Sequence, residues 1–245
     1  MYNLGTVLYA SAPPATASGS NSNVPRPSSP PSDRPVSRAE ALADAQLAPA
    51  FGVAVGDFDG DGREDVFISQ NFHGRDPETS RDDAGYGLLL RGRGDGGLVP
   101  LTSQESGIVI PGEQRGCAVA DFDADGRADL VVVQRGGETR LLANRSGASG
   151  LRVRLQGAPG NLAGIGAKLR VAARGSAVLG PVREIHAGSG CASQDSPVEV
   201  LHAPGGVGTL SIQWPGGAVF SGEIPHDATE VLVGFGAGIQ VVRRR

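Results

Sequence analysis

After residue 50, apolar residues alternate with polar ones or form short continuous runs. GVAVG (52–56), DVFIS (65–69) and LVVVQ (130–134) are typical, and glycine, proline or aspartate residues separate such runs. Short runs rich in β-branched residues and bounded by turn residues predict strands. A helical pattern is found at 38–48, where the alanines and leucines of RAEALADAQLA favour one short helix.

One segment of the chain is repeated. GVAVGDFDGDGREDVFISQ (52–70) returns as GCAVADFDADGRADLVVVQ (116–134), so that Asp57 corresponds to Asp121. In each copy two strand-like runs flank an acidic loop, and 85–108 adds two more runs around a glycine turn. Four strands in roughly 60 residues is the size of one β-propeller blade. We therefore predict an all-β chain with two propeller-blade-like units over 39–150.

The two ends of the chain differ from this pattern. Residues 151–245 contain short alternating runs separated by turn residues, which predicts a compact antiparallel β-domain of the sandwich type. Residues 1–38 are a low-complexity segment rich in proline, serine and alanine. Such a segment has too little apolar surface to fold alone, so we expect a disordered or extended arm or linker.

Composition excludes several classes of function. The 22 basic residues are outnumbered by 26 acidic ones, so nucleic acid is not an expected partner. No apolar run approaches the ~18 residues of a membrane helix, and the amino end shows no secretory signal peptide. The two cysteines, Cys117 and Cys191, either form one bridge or remain two separate buried thiols.

The acidic loops carry the clearest chemistry. Each places aspartates at positions 1, 3, 5 and 9, and a backbone carbonyl from arginine at position 7 completes an oxygen shell. Crowded carboxylates repel one another unless a cation neutralises them. The predicted ligands of two metal sites are Asp57, Asp59, Asp61, Arg63 and Asp65, and Asp121, Asp123, Asp125, Arg127 and Asp129.

Calcium is the expected ion at both sites. All the donors are hard oxygens, and the loops contain no histidine or thiol. An EF-hand is excluded because position 12 is Ile68 or Val132 instead of glutamate, and because strands flank the loops. Position 9 therefore has to supply the bidentate carboxylate. Since the protein itself provides the ligands, we predict a structural role for the ions.

The repeated segments resemble the FG-GAP/VCBS repeats of integrin-type β-propellers. The later segment GNLAGIGAKLRVAARG…REIHAGSGCASQDSPVEVLHAPGG…LSIQWPGG (160–217) resembles the ASPIC/UnbV domain. This order of parts is similar to the carboxyl end of the cartilage acidic protein family and its bacterial relatives. The resemblance implies a secreted or periplasmic, calcium-loaded, non-catalytic module for adhesion or protein assembly, and it assigns the same ten residues as calcium ligands.

The chain departs from this family in several places. Cys191 stands where the family usually has an aromatic residue, and LHAPGG replaces a His-Phe-Gly-like run. Relatives are usually longer and carry a signal peptide, so the chain is expected to be the carboxyl-terminal part of such a protein or a shortened relative. Two blades leave strand edges open, and we expect a protein partner, another copy, the later β-domain or the arm to cover them.

Two alternative functions remain open at this stage. A carbohydrate-binding module would use Trp214 to stack on a sugar ring, although Trp214 is also a good core residue. A hydrolase would use the His186/Cys191 region, in which Ser189, Gln194 and Asp195 also lie. No known catalytic motif supports that second alternative.

Overall fold

A computed structural model describes residues 48–74 and 85–245, together with the backbone of residues 8–10. The described chain is nearly all β, with four small sheets arranged in a propeller-like ring. The predicted helix over 38–48 and most of the predicted arm lie outside the described residues.

The first sheet is a four-stranded antiparallel meander in chain order. Its strands are β2 (Ala50–Gly56), β3 (Asp65–Gln70), β4 (Leu88–Gly92) and β5 (Leu98–Leu101). The first acidic loop joins β2 to β3. One helical turn, α1 (Ser103–Ser106), follows, and Thr102 caps it in a capping box with Glu105. The Thr-x-x-Glu pattern that predicts this turn was overlooked in the sequence.

The second sheet repeats the first three strands of this pattern. It contains β6 (Gln114–Ala120), β7 (Asp129–Gln134) and β8 (Arg140–Asn144). Its fourth strand comes from the amino-terminal part of the chain: β1 (Leu8–Ala10) pairs in parallel with β8. The β2–β3 register shifts between Ala50 and Val53, and the β6–β7 register shifts between Gln114 and Cys117. The predicted repeat therefore extends to the strand register.

The third and fourth sheets are formed by the rest of the chain. The third has the order β12-β9-β15-β16 and the fourth the order β11-β10-β13-β14. Their bounds are β9 (Leu151–Gln156), β10 (Lys168–Ala173), β11 (Arg183–Glu184), β12 (Glu199–Leu201), β13 (Val207–Gln213), β14 (Val219–Glu223), β15 (Ala228–Gly234) and β16 (Gly238–Arg244).

Two hydrophobic cores hold the sheets in pairs. Phe67, Leu130 and Val132 belong to the core between the first two sheets. The third and fourth sheets share a core that includes Val153 and Leu210, as expected for a sandwich. These core residues are almost fully buried, and packing of alternate apolar residues from facing strands is the main stabilising contribution.

The structure corrects three details of the predicted β-domain. β9 and β15 pair in parallel, so the domain is not purely antiparallel. β14 was not predicted. β16 was not predicted either, and it includes the exposed Arg243 and Arg244.

Two of the strand edges that we expected to be open are covered by the chain itself. β1 lies along β8. Along β6, Asp195 Oδ1 accepts a hydrogen bond from Val119 N at 2.7 Å, and Ser193 Oγ accepts one from Cys117 N at 3.1 Å. These contacts satisfy backbone groups of an edge strand. The strand edges at β6 and β8 are therefore covered without a second chain.

Candidate metal centres

The first acidic loop is organised by the aspartate at position 1. Asp57 Oδ1 accepts hydrogen bonds from Gly60 N at 2.8 Å and Asp61 N at 3.1 Å, and Asp57 Oδ2 accepts one from Gly62 N at 2.9 Å. A short side chain that bonds to the backbone ahead of it is typical of an Asx turn. This network bends the chain so that the carboxylates of the loop converge.

The second loop repeats two of these three contacts. Asp121 Oδ1 accepts from Asp125 N at 3.1 Å, and Asp121 Oδ2 accepts from Gly126 N at 2.9 Å. The segment after β8 connects the two loops, because Ala148 N donates to Asp59 O at 3.1 Å and Gly150 N donates to Gly126 O at 2.7 Å. The two loops therefore lie side by side.

The aspartates at position 9 begin the strands that leave the loops. Asp65 accepts hydrogen bonds from Phe58 N at 2.9 Å and Gly92 N at 2.8 Å. Asp129 accepts equivalent bonds from Phe122 N at 2.8 Å and Asn144 N at 2.7 Å. Each of these carboxylates thus ties its loop to the neighbouring strand.

Six of the predicted ligands come together in two groups that could hold a metal ion. Within each group the ligand atoms lie within 4.8 Å of one another, and the groups are Asp57, Asp59 and Asp61, and Asp121, Asp123 and Asp129. Asp65 and Asp125 are not members. The side chains of Arg63 and Arg127 form ion pairs with Asp61 and Asp125. All the converging donors are carboxylate oxygens, which fits a hard cation.

The carboxylates carry an electrostatic cost in the absence of a cation. Burial raises the pKa of Asp65 to about 6, despite its backbone hydrogen bonds from Gly92 and Phe58. Burial also raises the pKa of Asp129, and burial together with the charge of Asp61 raises that of Asp59. A divalent cation among these groups would relieve the cost by favouring their charged forms.

A buried arginine that the sequence analysis missed contacts the second loop. Arg152 on β9 forms an ion pair with Asp121, whose side chain is fully buried, and its Nε lies 3.1 Å from Glu230 Oε2. Arg154 Nε lies 2.6 Å from Glu230 Oε1. Burial alone would lower the pKa of Arg152, but its hydrogen bonds with Asp121 and Glu230 raise it above its usual value.

A histidine occupies the corresponding place at the first loop. His202 Nδ1 lies 2.9 Å from Asp57 Oδ2, which is within ion-pair distance but lacks hydrogen-bond alignment. His202 Nε2 lies 2.8 Å from Ala148 O. Burial raises the pKa of Asp57, but His202 and the backbone donors bring it below the usual value. In both loops, therefore, a nitrogen-bearing side chain from beyond residue 150 contacts the aspartate at position 1.

The two loops differ at position 4, where we predict a measurable difference in stability. Gly60 has a φ of +76°, and a Cβ there would lie 2.7 Å from Ala148 N. The equivalent Ala124 adopts a φ of 61°. We expect Gly60→Ala to cost about 2–4 kcal/mol in urea unfolding, because the steric clash adds to the left-handed strain.

Gly96→Ala is the matched control for this prediction. Gly96 has a φ of +79°, and a Cβ there would have no heavy atom within 4 Å beyond its chain neighbours. Gly96→Ala therefore isolates the cost of placing alanine in the left-handed conformation, which we expect to be about 1 kcal/mol. Equal losses of stability in the two variants would contradict the close packing of the first loop against Ala148.

The residues considered for catalysis lie at or near an acidic cleft of about 420 Å³. His186, Ser189 and Asp195 line it, while Cys191 and Gln194 do not. Ser189 Oγ accepts a hydrogen bond from Asp195 N at 2.7 Å. Within the described part of the chain, no hydrogen bond joins His186 to Ser189 or Cys191. A nucleophile and its base are therefore not paired here.

The charge of this cleft comes from several carboxylates. Glu64, Glu184, Asp195 and Glu199 line it together with Arg183, whose Nε lies 2.5 Å from Glu64 Oε1. Burial raises the pKa of Glu199 to about 7, and the nearby charge of Arg183 only partly opposes this shift. Glu199 is thus a partly buried carboxyl group whose pKa is raised to near neutral pH.

The remaining candidate residues are Trp214 and the two cysteines. Trp214 is 4% exposed and packs edge-to-face on Phe235 with ring centroids 5.5 Å apart, so it is a core residue and offers no face to a sugar. Cys117 and Cys191 are both free thiols. Cys117 is buried as expected, whereas Cys191 is exposed, which corrects the expectation of two buried thiols.

Comparison with known proteins identifies no family. No protein-family model matches the chain, and no curated protein matches it significantly. Among the described residues, no helix is long and apolar enough to cross a membrane. The fold and the two loops define an all-β protein with paired acidic sites that could hold metal ions.

Proposed function

We propose that the two loops bind Ca²⁺ and that the chain is a non-catalytic, calcium-stabilised module for protein assembly or adhesion. The observation that carries this proposal is the repetition of one hydrogen-bond network in both loops, with aspartates at equivalent positions. The recurrence of these donors and acceptors supports a common role for the two loops. The resemblance to FG-GAP/VCBS repeats supports the same ion and the same type of module.

The donor chemistry favours calcium over other metals. Both groups converge through carboxylate oxygens, whereas zinc and copper sites usually include imidazole or thiolate. In the first loop His202 contacts Asp57 from outside the group. Asp57, Asp59 and Asp61 would hold the first ion, and Asp121, Asp123 and Asp129 the second. A bound Ca²⁺ would supply positive charge, whereas the hydrogen bonds that shape the loops come from the protein.

The position of the loops favours a structural role for the ions. Each loop connects two strands of a sheet and is also contacted by Arg152 or His202 from the later part of the chain. Ion binding would therefore stabilise both a turn and its packing against a second element. Extracytoplasmic calcium modules operate with dissociation constants of about 10⁻⁴–10⁻³ M. We propose that the protein works outside the cytoplasm, where that concentration is available.

Calcium stoichiometry tests this proposal. We expect equilibrium dialysis with metal analysis to find two Ca²⁺ ions per chain, and one ion after either Asp59→Asn or Asp123→Asn. These residues are chosen because Asp59 accepts one backbone hydrogen bond, at 3.2 Å, and Asp123 pairs with the exposed Arg145. Their replacement removes a ligand charge and leaves the networks of Asp57 and Asp121 in place.

Asp95→Asn is the matched control for these variants. Asp95 is half exposed in a turn outside the loops, where it accepts a hydrogen bond from Gly97 N at 2.9 Å. The control should retain two ions. Absence of bound calcium in the unmodified protein, or two ions in the double variant, would overturn the proposal.

A further inference from the structure

A second cavity, of about 680 Å³, is strongly basic although the chain carries a net charge of −4. It lies between the second loop, the turn after β12 and the end of β16. The basic residues in its wall are Arg152, Arg174, His202, His226, Arg243, Arg244 and Arg245. Among the described residues that line it, Asp125 is the one acidic side chain, and it pairs with Arg127. Arg152 and Arg244 are neutralised by carboxylates behind the wall, Arg152 by Asp121 and Glu230 and Arg244 by Asp227.

Two of these arginines are held in place without a carboxylate. Arg174 donates to Ile224 O and Pro225 O, both at 3.3 Å, and Arg243 donates to Ala124 O at 3.0 Å. Within the described part of the chain, neither forms an ion pair. A guanidinium group that neutral carbonyls position keeps its full charge and still has unused N–H donors. Both groups are therefore fixed cations that face a cavity.

The rest of the wall is also suited to a polar ligand. The hydroxyl oxygen of Thr229 is buried without a hydrogen-bond partner among the described residues, and Thr229 lines the cavity. Leu201, Val207 and Ile224 contribute apolar surface to the same wall. Ligand sites usually contain a few fixed polar groups in cavities of about 300–1,000 Å³, and this cavity falls in that range.

We propose that this basic cavity binds a tetrahedral oxyanion, a sulfate or phosphate group that is either free or an ester on a small sugar. The planar donors of arginine match the oxygens of such groups in pairs. No phenylalanine, tyrosine or tryptophan is among the described lining residues, so nothing in the wall favours stacking of a nucleobase. The proposal does not depend on metal binding, because the two carbonyl-held arginines are not among the predicted ligands.

Isothermal titration at low ionic strength tests this inference. The unmodified protein is titrated with sodium sulfate, with a sulfated disaccharide and with the same disaccharide lacking sulfate. We expect the sulfated probe to bind and the unsulfated one not to bind. Arg174→Gln and Arg243→Gln should each weaken binding by about tenfold or more, because each removes a charged hydrogen-bond donor. Sulfate alone binding as tightly as the disaccharide would identify the free ion as the ligand.

Arg170→Gln is the matched control. Arg170 lies on β10 and is also held by backbone carbonyls, Gly180 O at 2.9 Å and Leu179 O at 3.2 Å, but it does not line the cavity. It should leave the dissociation constant unchanged, and thermal melts verify that each variant folds. If one cavity variant does not fold, the other decides the test. Failure of both sulfate probes to bind the unmodified protein, or equal losses in control and cavity variants, would overturn the inference.

Discussion

Arg152→Met should destabilise the calcium-free protein by about 3–5 kcal/mol in urea unfolding. Removal of the guanidinium group leaves the buried carboxylate of Asp121 without its ion-pair partner. Arg152 is 6% exposed at its side chain and lies between Asp121 and Glu230, which are 0% and 3% exposed. Glu230 keeps Arg154 as a partner, but Asp121 has no second cationic side chain in the described structure. Methionine fills a similar volume without a charge, so lost packing contributes little.

The same substitution should cost less when calcium is present. An ion at the second loop would neutralise Asp121 in place of the lost guanidinium, so the difference between the two conditions reports on metal at that residue. Arg140→Met is the control, since Arg140, at the start of β8, pairs at 3.6 Å with the exposed Glu138 in the connection before that strand. It should cost less than about 0.5 kcal/mol in either condition. A loss below about 1 kcal/mol for Arg152→Met without calcium would show that the buried pair is not needed for stability.

The features that the sequence predicted well are local ones. The strands that flank both acidic loops lie where the apolar runs place them, because alternation along a few residues determines which face is buried. The equivalence of Asp57 and Asp121 also follows from the repeat, and two of the three backbone contacts of Asp57 recur at Asp121. Position 9 was less predictable, since Asp129 belongs to a group of carboxylates that could hold a metal ion and Asp65 does not.

The features that were missed depend on contacts between distant parts of the chain. Nothing near Arg152 or His202 in sequence indicates that they reach Asp121 and Asp57, because tertiary packing alone creates those contacts. The parallel pairing of β1 with β8 likewise joins residues that are more than 130 positions apart in the sequence, Leu8–Ala10 and Leu142–Asn144. Short strands and long-range ion pairs carry almost no local signal, so the sequence shows the residue types without their partners.

These long-range contacts suggest how the loops and the later sheets depend on each other. In each loop the aspartate at position 1 both organises the turn and contacts a side chain from beyond residue 150. Loss of the turn would therefore also remove the carboxylate that Arg152 or His202 contacts, and would leave that buried side chain with one contact fewer. Such coupling predicts that metal binding stabilises more of the molecule than the two hairpins alone.

Removal of calcium should lower the melting temperature by about 10–20 °C at neutral pH. A ligand at a hundredfold excess over its dissociation constant stabilises the folded state by about 2.7 kcal/mol per site, and two sites together correspond to a shift of this size for a chain of this length. Differential scanning calorimetry with calcium, and with a chelator, measures it. Asp59→Asn with Asp123→Asn should remove most of the difference between the two conditions.

The pH dependence of this shift separates specific binding from a general effect of charge. The folded-state pKa of Asp65 is raised from 3.8 to about 6, so its contribution to stability is present at low pH and is lost as pH rises through 6. The chelated protein should therefore gain stability between pH 7 and pH 5. The calcium-loaded protein should gain less, or lose stability, because protons compete with the ion for Asp59 and Asp129, the proposed ligands whose pKa values burial also raises.

Glu199 changes stability in the same direction in both states, since its pKa is raised to about 7 at a place outside the loops. The informative quantity is therefore the difference between the calcium-loaded and chelated curves, from which the contribution of Glu199 cancels. That difference should shrink as the pH falls from 7 to 5. A melting temperature that the chelator leaves unchanged at both pH values would mean that the acidic loops are stable without a cation, held by their backbone hydrogen bonds and by Arg152 and His202 alone.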